Sequence, residues 1–480
     1  MNQKLQPRSS EPDKDSAKWK ALVTVAMGTM MATMDASITT IAFPVLTEVF
    51  STELTTVMWV TVAFILVCTS SMLVFGKISD LLGRRRIYAL GMGIFTAGLL
   101  ACALAQSMGQ LIFFRTLQAL GAAMTIACGT AIVTEAFPLK ETGRGLGLLG
   151  VSVSLGFVIG PVLGGLLLHY LDWRSLFYIR APVGLLTLVM ALTLLRKDQV
   201  SAKKIRLDLL GILTSSLGLF SVVLGVSKIK TFDSMSFPGL LLMVFGVASL
   251  MVFIAVESRA QDPLLGLSLF KDRVFSGATL ALFLLFLAAP PFILIMPFYL
   301  MHGLGLTPAH AGLLLAVHAI ATIVFGPISG WLSDRFGASW FAAAGALAMT
   351  AAFCAMRTFD LQTPVAAIIP VLVLLGMGIG SFQPPNNSTI MTRAPRDRLG
   401  TASALIATIR QVGLSLGMAL GGAIYTARSV FHKTTLLEKG VDAAQVGPIS
   451  IPLAYRDVLL VSIFFALLVV FCSLSTGKKR

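Results

Sequence analysis

The sequence predicts an all-α polytopic membrane protein. Hydrophobic residues make up 56% of the 480-residue chain and charged residues only 12%, and the mean hydropathy is +0.87. Such a composition lies outside the range of soluble globular domains. Apolar runs of about 20 residues, long enough to cross a hydrocarbon core roughly 30 Å thick, recur along nearly the whole chain. These observations exclude the soluble enzyme classes.

Hydropathy windows of about 19 residues predict fourteen membrane spans. The predicted spans are 21–46, 56–77, 86–106, 110–134, 145–168, 174–195, 208–227, 237–256, 274–301, 308–332, 340–357, 364–391, 400–427 and 455–475. The predicted domains are a tail at 1–20, an N-terminal six-helix bundle at 21–195, a linker with two extra helices at 196–273, a C-terminal six-helix bundle at 274–475 and a tail at 476–480.

The distribution of positive charge predicts the orientation. If the N-terminus is inside, the inner segments hold 26 of the 37 Lys and Arg residues and the outer segments hold 8. By the positive-inside rule both termini are cytoplasmic. The net charge of +15 therefore reflects topology and not a nucleic-acid partner. The richest inner connection, 196–206, is expected to join the two halves, and 428–456 is expected to be the longest outer loop. We expect a disordered N-terminal tail and no signal peptide.

No cofactor is expected. The five cysteines lie in apolar segments without C-x-x-C spacing, which predicts buried free thiols and neither a disulfide framework nor a metal site. They are Cys68, Cys102, Cys128, Cys354 and Cys472. The sequence contains no G-x-x-x-x-G-K-[ST] phosphate loop. Any activity that needs energy would therefore draw it from an ion gradient, and no catalytic residue is predicted.

Two segments of the chain repeat each other. GKISDLLGRRR at 76–86 and GWLSDRFGASW at 330–340 share Gly, Ser, Asp and Gly at identical spacing. Each follows an even-numbered predicted span and enters an inner loop, as expected for parallel repeats related by an axis along the membrane normal.

Five motifs occur in order in the first half. They are MDASITTIAFP at 34–44, GKISDLLGRRR at 76–86, RTLQALGAAM at 115–124, GFVIGPVLGG at 156–165 and WRSLFYIRAPVG at 173–184. With them the sequence resembles the major facilitator superfamily, and specifically its fourteen-helix drug:proton antiporter family. The resemblance implies the major facilitator fold, two six-helix bundles plus two extra helices. It also implies a proton-driven, monomeric multidrug efflux transporter in a bacterial inner membrane.

Asp35 is the only acid well inside any predicted span. Arg115 is its natural partner, because a cation within hydrocarbon costs at least about 2.5 to 3.5 kcal/mol without one; Glu135 is a weaker candidate. Burial disfavours the charged carboxylate and a guanidinium favours it, so a moving arginine can switch the site between binding and releasing a proton. We expect Asp35 and Arg115 to couple proton movement to transport. A permanent structural ion pair is the alternative.

The repeated loop is a candidate gate. A glycine-bounded turn would hold Asp80 near positive groups and helix ends, where it can latch two helices and release them. The resemblance assigns gating roles to Gly76, Asp80, Gly83 and Arg84, and the repeat adds Asp334. The alternative, that the arginines only anchor the topology, is favoured for the two arginines that follow Arg84.

A third motif predicts close helix packing. Gly156, Gly160, Gly164 and Gly165 remove side chains from one helix face, and Pro161 removes a backbone donor, so this span can kink and pack closely. The resemblance marks the pattern as an antiporter motif. Ordinary small-residue packing would also explain it.

Six polar residues are candidates for a substrate cavity. Arg180 stands where the family usually has asparagine, and we expect it to snorkel outward in preference to contacting substrate. Arg410 occupies a position where the family also tends to have arginine. The second half adds His318, which can titrate near neutrality or serve simply as a packed residue. It also adds three amides, which are Gln383, Asn386 and Asn387.

Doubled prolines at 290–291 and 384–385 are expected to interrupt their helices beside a central pathway. Four aromatics are candidates for a cavity wall, although ordinary packing fits them as well. They are Phe292, Phe298, Tyr299 and Phe382.

The favoured hypothesis is a cell-membrane exporter that exchanges external protons for an amphipathic small molecule. Its partners would be that substrate, protons and the lipid bilayer, with no nucleic acid. The cavity would lie between the first, fourth, ninth, tenth, twelfth and thirteenth spans. The alternatives are an exporter of an anionic metabolite, which the three intramembrane arginines would favour, and a lipid-translocating or membrane-sensing protein of the same fold.

Overall fold

The computed structural model describes residues 12–138, 141–196, 209–227, 229–231, 234–235, 237–259, 267–395 and 399–476. Seventeen α-helices and one short hairpin account for nearly all of these residues. The helices are α1 (Pro12–Ile41), α2 (Phe43–Val49), α3 (Leu54–Leu82), α4 (Arg84–Ala103), α5 (Met108–Ala136), α6 (Thr142–Tyr170), α7 (Ser175–Tyr178), α8 (Ala181–Leu194), α9 (Leu209–Ser227), α10 (Phe237–Glu257), α11 (Arg273–Ala288), α12 (Pro290–Phe298), α13 (Pro308–Phe336), α14 (Ala338–Met356), α15 (Val365–Arg393), α16 (Leu399–Glu438) and α17 (Ala443–Ser475). The antiparallel strands are β1 (Ile229–Thr231) and β2 (Ser234–Met235).

Twelve of the helices or helix pairs in the described ranges are long and apolar enough to cross a membrane. They coincide with twelve of the fourteen predicted spans. The second predicted span corresponds to α3, which bends by 48° between Thr56–Met72 and Val74–Leu82 and makes a thirteenth candidate if counted as one span. The seventh corresponds to α9, where the apolar stretch Leu213–Val226 is shorter than a full crossing.

Packing follows the order of the chain. In the first half α1 packs on α6, and α5 packs on α3 and α4. In the second half α15 packs on α13 and α14, while α17 packs on α11 and α14. The two halves meet mainly where α6 contacts α13 and where α3 contacts α16. Helices α9 and α10 pack on each other, and α9 also contacts α3 and α16.

The sequence repeat is a structural repeat. Gly83 ends α3 with φ 104° and ψ 132°, and Gly337 ends α13 with φ 101° and ψ 128°. L-residues with a side chain rarely adopt this conformation, which explains glycine at both positions. In each copy the serine hydroxyl donates to the carbonyl three residues earlier, from Ser79 at 2.6 Å and from Ser333 at 2.8 Å.

These two turns lie at one end of the molecule, which we call the motif face, and the other end is the opposite face. Both described chain ends lie at the motif face. Near the first end, Lys18 Nζ donates to Glu141 Oε2 at the start of α6, 2.8 Å away. At the second end, the hydroxyls of Thr476 and Ser339, the latter at the start of α14, are 3.3 Å apart.

The expectation of a disordered N-terminal tail is wrong from residue 12 onward. The expected tail is helical from Pro12 onward, because Lys18 pairs with Glu141 and Trp19 packs edge-on against Phe137 at 5.8 Å. Residues 1–11 lie outside the described ranges, and so do residues 197–208, which include most of the expected connection at 196–206.

The long outer loop expected at 428–456 is also mostly helical, since only 439–442 separates α16 from α17. Arg428 Nε and His432 Nε2 both bind Asp457 Oδ2, at 2.5 and 2.7 Å. These contacts tie the extended ends of the two helices together.

The two doubled prolines behave differently. The break expected at Pro290 is confirmed, because α11 ends at Ala288 and α12 begins at Pro290. The break expected at 384–385 is wrong, since α15 continues through both prolines. Pro384 cannot donate to the carbonyl four residues earlier. The hydroxyl of Ser329 on α13 donates to that carbonyl, Gly380 O, at 3.0 Å.

The expectation of five buried thiols is correct for three cysteines. Cys68, Cys102 and Cys128 are buried, but Cys472 is partly buried and Cys354 is exposed on the surface of α14. Hydropathy identifies an apolar helix but not which of its faces points outward.

Candidate functional site

Asp35 lies at the centre of a buried polar network. Arg115 Nη1 donates to Asp35 Oδ2 at 2.5 Å, and Arg180 Nη1 donates to Asp35 Oδ1 at 2.6 Å. Gln118 Nε2 donates to Asp35 Oδ1 at 3.1 Å. The exposed fraction of each of the three charged side chains is 1% or less. The predicted pairing of Asp35 with Arg115 is confirmed.

The guanidinium groups also bond to uncharged acceptors. Arg115 Nε donates to Val60 O at 3.1 Å and its Nη1 donates to Gln118 Oε1 at 2.8 Å. Arg180 Nε donates to Leu176 O at 2.5 Å. The Nη2 atoms of both arginines are buried and have no hydrogen-bond partner among the described residues. One carboxylate thus balances two cations, which leaves the network with a net positive charge.

The expectation that Arg180 snorkels outward is wrong. Arg180 lies at the junction of the short helix α7 with α8, and its guanidinium points into the bundle beside Phe177, 5.7 Å from the ring centroid. Trp173 and Phe177 are buried and Arg180 itself is only 1% exposed, although Tyr178 of the same segment is exposed. The segment therefore holds the Arg180 side chain inside the protein.

Arg84 connects three helix ends at the motif face. It donates to Asp80 Oδ1 from Nη2 at 2.9 Å and from Nε at 3.1 Å, and its Nη1 lies 2.6 Å from Glu135 Oε1. Glu135 therefore pairs with Arg84 and not with Arg115. Asp80 lies in the last turn of α3 and Glu135 in the last turn of α5, so the arginine clamps both helix ends to the start of α4.

The remaining gate candidates make few or different contacts. A Cβ added at Gly76 would meet nothing within 4 Å, so packing does not require glycine there. Arg85 donates to the main-chain oxygens of Ala191, at 3.3 Å, and Leu192, which anchors the end of α8. Asp334 lies in the last turn of α13.

The glycine motif lets α6 approach α1 closely. An added Cβ at Gly156 would lie 2.7 Å from Met30 O, and one at Gly160 would lie 3.1 Å from Ile38 N. One at Gly164 would lie 2.7 Å from Ile38 Cγ1. Helix α6 is continuous through Pro161, so the motif supports close backbone packing.

The same motif also joins the two halves. A Cβ at Gly165 would lie 3.2 Å from Ala309 Cα, and one at Gly312 would lie 3.1 Å from the carbonyl carbon of Pro161. This backbone contact lies at the opposite-face ends of α6 and α13. A second contact there links His302 Nε2 to Glu48 Oε1 at 3.2 Å. The halves are therefore sealed together at the opposite face.

A cavity of about 1310 Å³, including its part open to solvent, lies between the two halves. Residues of α1, α3, α5, α6, α11, α12, α13, α15 and α16 line it. These include all six predicted spans and add the second and fifth. His318, Gln383 and Arg410 line the cavity as predicted.

The other cavity candidates lie elsewhere. Asn386 is buried, and its Nδ2 donates to Ala278 O at 3.0 Å. Asn387 Oδ1 is buried with no hydrogen-bond partner in the described part of the chain. Neither amide belongs to the cavity lining, and Arg180 belongs to the Asp35 network.

Aromatic residues do line the cavity, but they are not the predicted ones. The four predicted aromatics are buried and form no part of the lining, so ordinary packing accounts for them. Phe64, Phe157 and Phe286 line the cavity instead. The guanidinium carbon of Arg115 lies 4.3 Å from the centroid of the Phe64 ring, so this ring separates the cavity from the Asp35 network.

His318 presents one nitrogen to a ligand. Its Nδ1 lies 2.5 Å from Leu315 O, which only accepts hydrogen bonds, so Nδ1 carries the proton. Its ring packs edge-on against Phe292 at 5.3 Å. Nε2 is the nitrogen left for a ligand.

Three functional residues were missed from sequence. Gln118 follows Arg115 by three positions, so helical periodicity alone places both on one face. Gln411 follows Arg410 and also lines the cavity. No sequence signal distinguishes Phe64 from the other aromatics. In the described residues there is no group of three or more His, Cys, Asp or Glu that could hold a metal ion.

A family model described as the Major Facilitator Superfamily matches residues 25–418 and, again, residues 275–471. The chain belongs to the Major Facilitator Superfamily. It is therefore an all-helical, multi-pass membrane transporter and not an enzyme. The second match falls on the second half alone, in agreement with the internal repeat.

Superfamily members whose names state a function are similar to this chain over most of its length. The riboflavin transporter RibZ of Clostridioides difficile is 31% identical over 87% of this chain and 90% of its own. The multidrug transporter protein MdtP of Bacillus subtilis is 30% identical over 77% of this chain and 69% of its own. Among solved structures, an inward-facing, unoccupied bacterial homologue of the human lysosomal transporter Spinster superimposes with a TM-score of 0.70. Its sequence is 16% identical to this one, and the superposition covers 98% of this chain and 99% of the homologue's chain.

Proposed function

We propose that this protein exports amphipathic small molecules from a bacterial cell by exchanging them for protons. The observation that carries the proposal is the position of Phe64. One buried acid sits in a network with two arginines, and Phe64 separates this network from a central cavity. A change at the acid can therefore be transmitted to the cavity through a single ring.

We assign fourteen spans, with both termini in the cytoplasm. The two repeat turns and both described chain ends lie at the motif face, so the halves run parallel. Parallel halves of six spans each require an even number of crossings between them, which α9 and α10 supply as a hairpin. The 26-to-8 bias of Lys and Arg then places the motif face inside. The bundles at 21–195 and 274–475 are the two moving halves.

The seal at the opposite face then makes this the inward-open state. In this state Asp35 is ionised and held by Arg115 and Arg180. A proton entering from outside would neutralise Asp35 and remove both ion pairs, and Arg115 would shift against Phe64. One proton moving down 100 mV supplies about 2.3 kcal/mol, enough for roughly a fortyfold gradient of a neutral solute. The Arg84 clamp would open and close the inner face, and the chain would work as a monomer.

The relatives support an organic substrate of moderate size. One is named as a multidrug transporter and another as a riboflavin transporter. Both names fit a cavity with aromatic walls and a few polar groups.

The test is proton release from acidified inside-out vesicles. Lipophilic cations, neutral drugs and organic anions are added to vesicles that contain the wild type, Asp35→Asn or the control Glu438→Gln, which removes an exposed carboxylate. We expect some compound to dissipate the gradient in the wild type and control but not in Asp35→Asn. If Asp35→Asn transports compounds and protons as the wild type does, coupling through Asp35 is refuted. If no compound moves protons in any vesicle, a uniporter or lipid-handling role fits better.

A further inference from the structure

Arg410 is a cation in the cavity wall with no partner among the residues that the structure describes. Among the described residues none forms a hydrogen bond or an ion pair with it. The other two intramembrane arginines are both held by Asp35. Arg410 thus differs from them, because its guanidinium is available to a ligand.

The cavity offers this cation no counter-charge. Its lining residues in the described part of the chain are apolar side chains, hydroxyls, one thiol, two amides, one imidazole and Arg410, with no carboxylate. A cation at membrane depth without a partner costs at least about 2.5 to 3.5 kcal/mol. A bound anion would remove this penalty, whereas a bound cation would add repulsion to it.

Three other polar side chains of the cavity lining limit the chemistry of the anion. Gln411 adjoins it on α16, Gln383 faces the cavity from α15, and His318 offers Nε2 from α13. The aromatic lining from Phe64, Phe157 and Phe286 suits a flat ring that stacks. The cavity therefore offers polar groups to one edge of a ligand and aromatic side chains to its ring.

We propose that the cavity selects planar aromatic organic anions, with Arg410 pairing the anionic group and the aromatic side chains stacking on the ring. The proposal rests on the transport function above and names its substrate class. A guanidinium binds a carboxylate through two parallel hydrogen bonds, so an aromatic carboxylate is the simplest ligand of this class.

Equilibrium binding to the purified protein in lipid nanodiscs tests the proposal without a proton gradient. The probes share one fluorescent ring and carry an anionic, a neutral or a cationic group at the same position: 2-anthracenecarboxylate, its planar isostere 2-anthracenecarboxamide, and 2-anthracenemethylammonium. The variants are Arg410→Gln, Arg410→Lys and the control Arg393→Gln, which removes an exposed arginine at the end of α15, outside the cavity.

We expect the carboxylate to bind the wild type most tightly and the ammonium most weakly. Arg410→Gln should weaken carboxylate binding by about tenfold to a hundredfold, the usual value of a hydrogen bond to a charged group. The affinity of the same variant for the carboxamide should stay within about threefold of the wild-type value, which is a small change in binding free energy. Arg410→Lys should retain part of the preference, and Arg393→Gln should change nothing.

Three results would overturn the proposal: no saturable carboxylate binding to the wild type, equal loss of all three probes in Arg410→Gln, or tightest binding of the ammonium. A normal folding profile of Arg410→Lys separates loss of binding from loss of structure. The vesicle assay reports independently on coupling. An Arg410-dependent charge preference without proton release would leave the subsite standing while antiport fails, and proton release without that preference would do the reverse.

Discussion

Replacing Asp35 alone should lower the free energy of unfolding at least as much as replacing Asp35 and Arg180 together. Asp35→Asn leaves two guanidiniums around a neutral amide in a site that is closed to water. Breaking a buried ion pair by removing one partner costs about 3 to 5 kcal/mol. Arg180→Asn alone leaves Asp35 paired with Arg115 and Gln118. It should cost less, about 1.5 to 3 kcal/mol, the value of one hydrogen bond to a charged group.

In the double variant Asp35→Asn with Arg180→Asn, Arg115 keeps amide and carbonyl acceptors and no longer faces a second cation. Its free energy of unfolding should therefore equal or exceed that of Asp35→Asn. The interaction free energy of the two substitutions should therefore be at least the cost of Arg180→Asn alone, about 1.5 to 3 kcal/mol, in the favourable direction.

The assay is unfolding in mixed detergent micelles, followed by maleimide labelling of thiols that are buried in the folded protein. Cys68, Cys102 and Cys128 are buried, and Cys354, which is exposed, is replaced by alanine in every variant. Additive costs for the two substitutions, within about 0.5 kcal/mol, would refute the argument that one carboxylate balances two cations.

Two further predictions follow from single contacts. Gly312→Ala places a Cβ against the backbone of α6. It should therefore push α13 away from α6 at the opposite face and raise the labelling of a cysteine introduced beside this contact. Gly150→Ala, where an added Cβ meets nothing within 4 Å, should not; equal labelling of both variants would contradict this. Hydrogen bonds from Gln362 N–H and the Thr363 hydroxyl hold the pKa of Asp360 below its ordinary value. The stabilisation of that turn is therefore complete above the ordinary carboxyl pKa and is lost as the pH falls through the lowered one. Faster amide exchange at Gln362 in that acidic range would show it; exchange that follows only the intrinsic pH dependence would not.

The sequence predicted best what depends on composition and on the cost of isolated charges. Hydropathy located twelve spans that the structure confirms as candidates. The free-energy cost of an unpaired cation in the membrane identified Arg115 on α5 as the partner of Asp35 on α1. In both cases the physical rule is strong enough to hold whatever the details of packing.

The predictions that are wrong concern the direction in which a side chain points and the replacement of a lost hydrogen bond by a residue of another helix. Arg180 was expected to snorkel outward, but its position at the junction of α7 and α8 directs its guanidinium inward to Asp35. The break expected at 384–385 is absent because a serine on another helix replaces the lost hydrogen bond. Such contacts between distant segments leave no periodic pattern in the sequence, and the same is true of Phe64.

The duplicated turn has an unequal distribution of charge. Gly83 and Gly337 share one backbone geometry, but Ala338, Ser339 and Trp340 stand where the first copy has three arginines. The half-exposed ion pairs of Arg84 are screened by salt, whereas the second copy has no arginine at these positions. Ionic strength should therefore act more on the turn of the first bundle than on the turn of the second, which would make salt a means of perturbing the two halves of the transporter unequally.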